Sequence, residues 1–278
     1  MLRLYLLAAG EAILMNSKRS SRSASRRPRK SARSAARAQA PARPLITTVI
    51  FDLDDTLYDC FGQRVRAAHL RAAVAMADAG LPAPAEAIFQ VRMRACKDDP
   101  QLTHIDERVC ERFGVPAGER EKLVRAARLA FFTLPVGKLT LFPGTLKVLR
   151  GLKDRGVRIF VVSFGDPETQ RAKVAALGLD REPSIDHVFY ADTGDLITKE
   201  AFFRSILRNA ERDPKRVLVV GDRPSSEIRA GKALGMHTVR LRGGEFARLK
   251  AEGQEERADL EISKIDAVLK LPFEFGSS

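Results

Sequence analysis

Two carboxylates two residues apart, Asp52 and Asp54 in the run Phe51-Asp52-Leu53-Asp54-Asp55-Thr56, are the first groups along the chain whose spacing could do chemistry. Such a pair can divide the work, one oxygen attacking an electrophile while the other carries a proton, provided their surroundings push the two pKa values apart. Further along stand Ser163, a hydroxyl; Lys199, a positive charge; and Asp222 with Glu227, whose hard oxygens suit a divalent cation. Each has a plainer reading in isolation. Paired acids after a strand often close turns or cap helices, a Ser ends strands, and a Lys is solvated. What raises them above that reading is their order and their placement.

The segments that precede them are short, apolar and rich in β-branched residues. Ile46 to Phe51 leads into the acid pair, Arg158 to Val162 into Ser163, and Arg216 to Val220 into Asp222, while His187 to Tyr190 and His237 to Leu241 are shorter strand candidates. Helical periodicity lies between, over Pro143 to Arg155, Pro167 to Leu177, Glu200 to Ala210 and Ser225 to Leu234, and Gly156, Gly178 and Gly235 fit left-handed caps. Alternation of this kind predicts an α/β fold with a doubly wound parallel sheet, built from residues 45–61 and 140–278. All strand ends of a parallel sheet emerge on one edge, so the polar groups converge although they are distant in sequence. Residues 62–139 break the rhythm. They are rich in Ala, Arg and Glu, and are interrupted at Gly80-Leu81-Pro82, Asp98-Asp99-Pro100, Gly114-Val115-Pro116 and Leu134-Pro135-Val136-Gly137. This predicts an all-helical insertion of about four helices, placed to lie over the C-terminal end of the first strand.

With these residues in view, Val49-Ile50-Phe51-Asp52-Leu53-Asp54-Asp55-Thr56-Leu57 resembles the first motif of the haloacid dehalogenase (HAD) superfamily, an apolar strand followed by D-x-D-x-T. Ser163 resembles the second motif, Lys199 the third, and Gly221-Asp222-Arg223-Pro224-Ser225-Ser226-Glu227 the fourth. The resemblance covers about residues 45 to 245, and an insertion between the first and second motifs is what that family calls a C1 cap. It implies a Rossmann-like core and a Mg²⁺-dependent phosphomonoester hydrolase acting on a small phosphorylated metabolite. Asp52 would be the nucleophile, forming an aspartyl-phosphate, and Asp54 the general acid/base, which must begin protonated. The implied metal ligands are the Asp52 carboxylate, the Asp54 backbone carbonyl and the Asp222 carboxylate. Lys199 and Mg²⁺ would offset the repulsion between an anionic nucleophile and a phosphate dianion. Ser163 and nearby backbone N–H groups would bind a phosphoryl oxygen, Gly165 would leave room for it, and Thr56 would fix the loop or a phosphate oxygen. Glu227 would orient water or Lys199. Two positions depart from the family pattern: Phe164 stands where Asn often follows the second motif, and Glu200 where Pro often follows the third. Both blur the subfamily. Asp54 itself disfavours dehalogenase and phosphonatase chemistry, because an acid at that position serves phosphoryl leaving groups.

A phosphotransferase of the β-phosphoglucomutase type shares these motifs and is the first alternative. The second is a non-catalytic nucleic-acid-binding protein, suggested by a net charge of +13. That charge is unevenly distributed. Residues 1–44 carry 11 Lys and Arg against the single Glu11, leaving only +3 for the other 234 residues. Ser17 to Pro44 has no aromatic and no β-branched residue, and is expected to form a disordered basic arm. It reads as a solvated tail, as a contact for phosphate backbones through residues 17–44, or as an organellar transit peptide, with Met15 as an alternative start. No apolar run approaches the roughly 20 residues of a membrane span, so no membrane association is expected and a cytoplasmic setting is. Cys60, Cys96 and Cys110 have no disulfide or zinc spacing. The four His residues have no metal-like spacing and read as structural or surface groups. Phe89, Phe113, Phe131 and Phe132 read as packing within the insertion, and Gly243-Gly244 as a turn.

Overall fold

The computed structural model describes residues 43–100, 103–191 and 198–277. The basic arm before Arg43, with its nucleic-acid and targeting readings, lies outside the described residues.

Eight strands occur among the described residues: β1 (Leu45–Ile46), β2 (Thr48–Phe51), β3 (Arg158–Phe164), β4 (His187–Ala191), β5 (Val217–Gly221), β6 (His237–Leu241), β7 (Leu260–Ile262) and β8 (Glu274–Phe275). Six of them form one sheet in the order β4-β3-β2-β5-β6-β7, with every pairing parallel. Strand β2 is central. Its residues are shielded on both faces, which is why it reads as a continuous apolar run rather than an alternating one. Phe51 lies beside Val161 of β3 and Val220 of β5, so the chain leaves the sheet at Asp52 between two neighbouring strand ends.

The sequence predicts one strand from Ile46 to Phe51, and the structure divides it at Thr47. The Thr47 N–H donates to Arg216 O at 3.0 Å, and β1 pairs instead with β8 at the C-terminal end of the chain. Strands β7 and β8 have too few residues to show a period, and the sequence reading missed both.

Helices α5 (Thr145–Lys153), α6 (Pro167–Ala176), α7 (Lys199–Asn209) and α8 (Arg229–Ala233) cover the sheet. Val148, Leu149 and Leu152 of α5 and Val174 of α6 pack with Val49, Phe51, Ile159 and Val161 on one face. Phe203 and Ile206 of α7 pack with Ile50, Phe160 and Val219 on the other. Adjacent β2 residues therefore face opposite layers, the doubly wound arrangement, and each fully buried aliphatic side chain contributes roughly 1.5–3 kcal/mol. The start of the predicted helix Ser225 to Leu234 differs. Pro224–Ile228 winds as a π-helical turn before α8 begins, a widened turn often found at functional sites.

The insertion forms four helices among its described residues, α1 (Arg66–Asp78), α2 (Ala85–Asp98), α3 (Ile105–Arg112) and α4 (Ala117–Phe132). They enclose their own apolar cluster, including Ala72, Met76, Ile88, Val109 and Leu123. Phe89 is buried within it and Phe113 and Phe131 pack at its margin. Phe132 departs from expectation. As the last residue of α4 it projects past that cluster and is 75% exposed. The two linkers to the sheet are clasped together: the Gln63 side chain donates to Thr140 O and accepts from Thr140 N, both at 2.8 Å. Arg64 bonds the carbonyls of Leu134 and Pro135, and Tyr58 bridges Leu141.

Candidate active site

The site begins where β2 stops. The Asp52 N–H donates to Val220 O at 2.9 Å, holding the first residue after the strand against β5. The chain then turns sharply. Leu57 N bonds back to Leu53 O at 3.0 Å, and Asp55 adopts a left-handed φ of 55°. The Asp55 carboxylate stabilises that strained turn by accepting from Phe61 N at 2.9 Å and Glu245 N at 3.3 Å. The Thr56 hydroxyl, fully buried, donates to Asp52 Oδ2 at 3.4 Å.

Lys199 arrives as the first residue of α7, and its buried ammonium contacts both Asp52 Oδ1 and Glu227 Oε1. The π-helical turn carries Glu227, whose second oxygen accepts from Arg223 N at 3.1 Å. Gly221 is needed beside it, since a Cβ there would lie 2.7 Å from Glu227 Cγ. Asp222 follows β5 and is 4% exposed; its carbonyl accepts from Arg240 Nε at 3.1 Å, while its Oδ2 has no hydrogen-bond partner. Ser163 lies inside β3, beside Tyr190 of β4, one residue before β3 ends. Its hydroxyl is buried and also lacks a partner. Gly165 has φ 144° and donates to Ala191 O at 2.9 Å. Direct contacts thus join Asp52, Thr56, Lys199 and Glu227, with Asp222 and Ser163 at the adjoining strand ends.

The electrostatics separate the two leading carboxylates in the opposite sense from the sequence expectation. Burial pushes Asp52 up to about 7, with the Lys199 ammonium pulling against it and the Glu227 carboxylate adding to it. Asp54 is also buried, which would raise it, but Lys173 and Tyr58 outweigh burial and hold it below the usual carboxylate range. Lys173 Nζ lies 2.7 Å from Asp54 Oδ2 and Tyr58 OH donates to Oδ1 at 2.7 Å. Asp54, expected to start protonated, is therefore held as a carboxylate, because a cation sits on it. Asp222 is pushed well up by burial and by the nearby charges of Glu227 and Asp52. For Lys199, burial works against the charge, but Asp52 and Glu227 more than offset it and its pKa is raised.

Asp52, Asp222 and Glu227 are three buried acids facing one buried Lys, and one acid oxygen is unpartnered. Charge and unmet bonding capacity both fit a hard divalent cation. Among the described residues no three carboxylate, imidazole or thiol groups already stand as a cage. A cation here would draw on Asp52, Asp222 and the Asp54 carbonyl, with water and substrate oxygens completing the shell, as Mg²⁺ prefers.

The sequence reading missed Lys173, Gln170, Tyr58 and the bracing role of Asp55. Tyr58 sits four residues after Asp54 and is legible in retrospect as the next polar group of the same turn. Lys173 and Gln170 lie on α6 with nothing local to distinguish them from solvated helix residues.

A family model described as haloacid dehalogenase-like hydrolase matches residues 46–235, and the chain belongs to that family. Within it the chain is a HAD-like phosphatase. It is 27% identical over 238 residues to a glyceraldehyde 3-phosphate phosphatase of Methanocaldococcus jannaschii, covering 82% of this chain and 97% of that one. It is 30% identical over 202 residues to the Pyrococcus abyssi protein of the same description, covering 72% of this chain and 83% of the relative. Among solved structures, a predicted phosphoglycolate phosphatase from Haemophilus somnus aligns with a TM-score of 0.59 at 19% identity, covering 81% and 97% of the two chains. A Bacillus subtilis HAD-hydrolase, YfnB, bound to magnesium, aligns at 0.53 and 19% identity, covering 82% and 98%. These likenesses, both under 25% identical, concern the fold.

Proposed function

We propose that the protein is a Mg²⁺-dependent phosphatase of a small phosphorylated metabolite, working through an aspartyl-phosphate on Asp52. The observation that carries this reading is the Asp52 carboxylate at the end of the central strand, fixed by Lys199 and Thr56 beside an unpartnered Asp222 oxygen. The name shared by the relatives makes a triose phosphate such as glyceraldehyde 3-phosphate the first candidate substrate.

An oxygen of Asp52 attacks phosphorus, and the bond from phosphorus to the leaving alkoxide breaks. Bound Mg²⁺ would be held by Asp52, Asp222 and the Asp54 carbonyl and would supply positive charge against the phosphoryl oxygens. Lys199 adds a second positive charge and is kept in place by Glu227. Ser163 donates its free hydroxyl to a phosphoryl oxygen, and Gly165 leaves the backbone open to the group. Asp54 protonates the leaving oxygen and later takes a proton from the water that hydrolyses the aspartyl-phosphate. Its ionised resting form, favoured by Lys173, is the form the second step needs. An approaching phosphate dianion raises its proton affinity for the first.

The test is hydrolysis of p-nitrophenyl phosphate and of a panel of phosphorylated metabolites by the purified protein. Turnover is expected with Mg²⁺, to vanish with EDTA, and to fall by on the order of 10⁴ in Asp52→Asn. Full activity of that variant would eliminate Asp52 as nucleophile. With a hexose 1-phosphate, phosphorus NMR separates release of inorganic phosphate from transfer to another hydroxyl, the outcome a mutase would give.

A further inference from the structure

Asp54 is gripped from two sides, and the grip is uneven. Tyr58 OH donates to Oδ1 at 2.7 Å. Oδ2 receives both Lys173 Nζ, at 2.7 Å, and Gln170 Nε2, at 3.3 Å. A carboxylate offers about four lone-pair sites. Two of these donors fall on Oδ2 and one on Oδ1, so Oδ1 is the less crowded oxygen.

The two residues on Oδ2 are built for the position. They lie three apart on α6, on one face of that helix, and are only 4% and 6% exposed. The start of α6 is fixed by the Asp166 side chain, which accepts from Thr169 N at 2.8 Å. Gln170 is anchored a second time by donating to Phe164 O, at 2.9 Å, at the end of β3. Gly165 makes room for that, because a Cβ there would lie 2.5 Å from Gln170 Nε2. Besides Asp54, Lys173 Nζ has Cys60 Sγ at 3.9 Å. A buried ammonium is costly unless it is paired, and the pair it makes here is with Asp54.

We propose that Lys173, assisted by Gln170, is a positioning residue for the acid/base step, holding Asp54 by Oδ2 so that Oδ1 is the oxygen that exchanges protons with the substrate. The inference rests on the phosphatase reading above and deepens it. In the first step the bond from Asp52 to phosphorus forms, the bond from phosphorus to the leaving oxygen breaks, and the proton on Asp54 Oδ1 moves to that oxygen, which departs as an alcohol. In the second step water attacks phosphorus, its proton passes to Oδ1, and the Asp52 carboxylate is released with inorganic phosphate.

A leaving group that needs no proton reveals whether Lys173 acts through Asp54. p-Nitrophenolate departs without one, while the alkoxide of glycerol 3-phosphate requires it, and kcat/KM reports the transfer to Asp52 for both. Lys173→Met is expected to lower kcat/KM for glycerol 3-phosphate by on the order of 10² and for p-nitrophenyl phosphate by less than about tenfold. Lys173→Arg is expected to restore most of the alkyl activity. Gln170→Leu, a milder change should Lys173→Met fold poorly, is expected to show the same bias at about tenfold. Equal losses on both substrates in the folded variants, or no loss, would overturn the inference while wild-type turnover keeps the phosphatase reading intact. A wild-type protein inactive on both would overturn the phosphatase reading and this inference with it.

Discussion

Two buried ionic clusters, one at the sheet edge and one inside the helical insertion, each set Asp against a buried cation and are balanced differently. At the sheet edge Asp52, Asp222 and Glu227 outnumber Lys199, and an Asp222 oxygen and the Ser163 hydroxyl have no partner. In the insertion Arg92 is matched. It pairs with Asp106 and lies 3.2 Å from His69 Nδ1 and 3.7 Å from Met76 Sδ, while His69 Nε2 meets Cys96 Sγ at 3.3 Å. The Phe131 ring closes this group edge-on to His69. A matched buried pair is costly to break, whereas excess acid with open bonding capacity invites a ligand to complete it. The same substitution, acid to amide, should therefore have opposite consequences in the two places.

The largest effect is expected at the sheet edge. Asp222→Asn should lower kcat/KM for p-nitrophenyl phosphate by on the order of 10³, the scale of losing one main electrostatic partner of a transition state. In the insertion, Asp106→Asn should leave Arg92 buried without its counter-charge and lower stability by about 3–5 kcal/mol, read from urea unfolding. Smaller again is the pH dependence of His69. Burial, reinforced by the adjacent Arg92, lowers its pKa to about 4, so the folded state favours neutral imidazole. Its contribution is full above the unfolded value near 6.5 and is lost as pH falls toward 4, at most about 3 kcal/mol. The stability difference between the wild type and His69→Gln should shrink across that window, and a difference constant from pH 7 to 4 would show that His69 does not titrate. The smallest effect tests the comparison most directly. In EDTA, Asp222→Asn should be more stable than the wild type by about 1 kcal/mol, since it removes an acid that burial and its neighbours oppose; equal or lower stability would mean the edge cluster is already balanced.

The parts of this site that sequence alone reveals are those carried by short-range order. An apolar run ending in Asp52, a second ending near Ser163 and a third ending before Asp222 give the strands, and the parallel sheet brings their ends together. What sequence could not reveal depends on contacts between distant segments. Lys173 meets Asp54 across 119 positions and Lys199 meets Asp52 across 147; the second is expected only because a family pattern marks it, and nothing local marks the first. The ionised resting form of Asp54 was hidden for the same reason, since the cation that favours it lies on α6. Thr47 ended a strand early because of its bond to Arg216, and β7 and β8 were too short to show a period. In the insertion, the breakpoints at Gly and Pro placed the helices, but only packing could show that His69 is buried and Phe132 is not.

The clasp between Gln63 and Thr140 fixes more than a local bend. Because the insertion leaves and re-enters the sheet through one seam, with its own apolar interior on the far side, it has the topology of a cassette. Exchanging what lies between residues 63 and 140 would preserve every strand and every acid at the sheet edge. The acids at the sheet edge and the helical insertion are thus joined by two adjacent strands of backbone, and can diverge by different mutations.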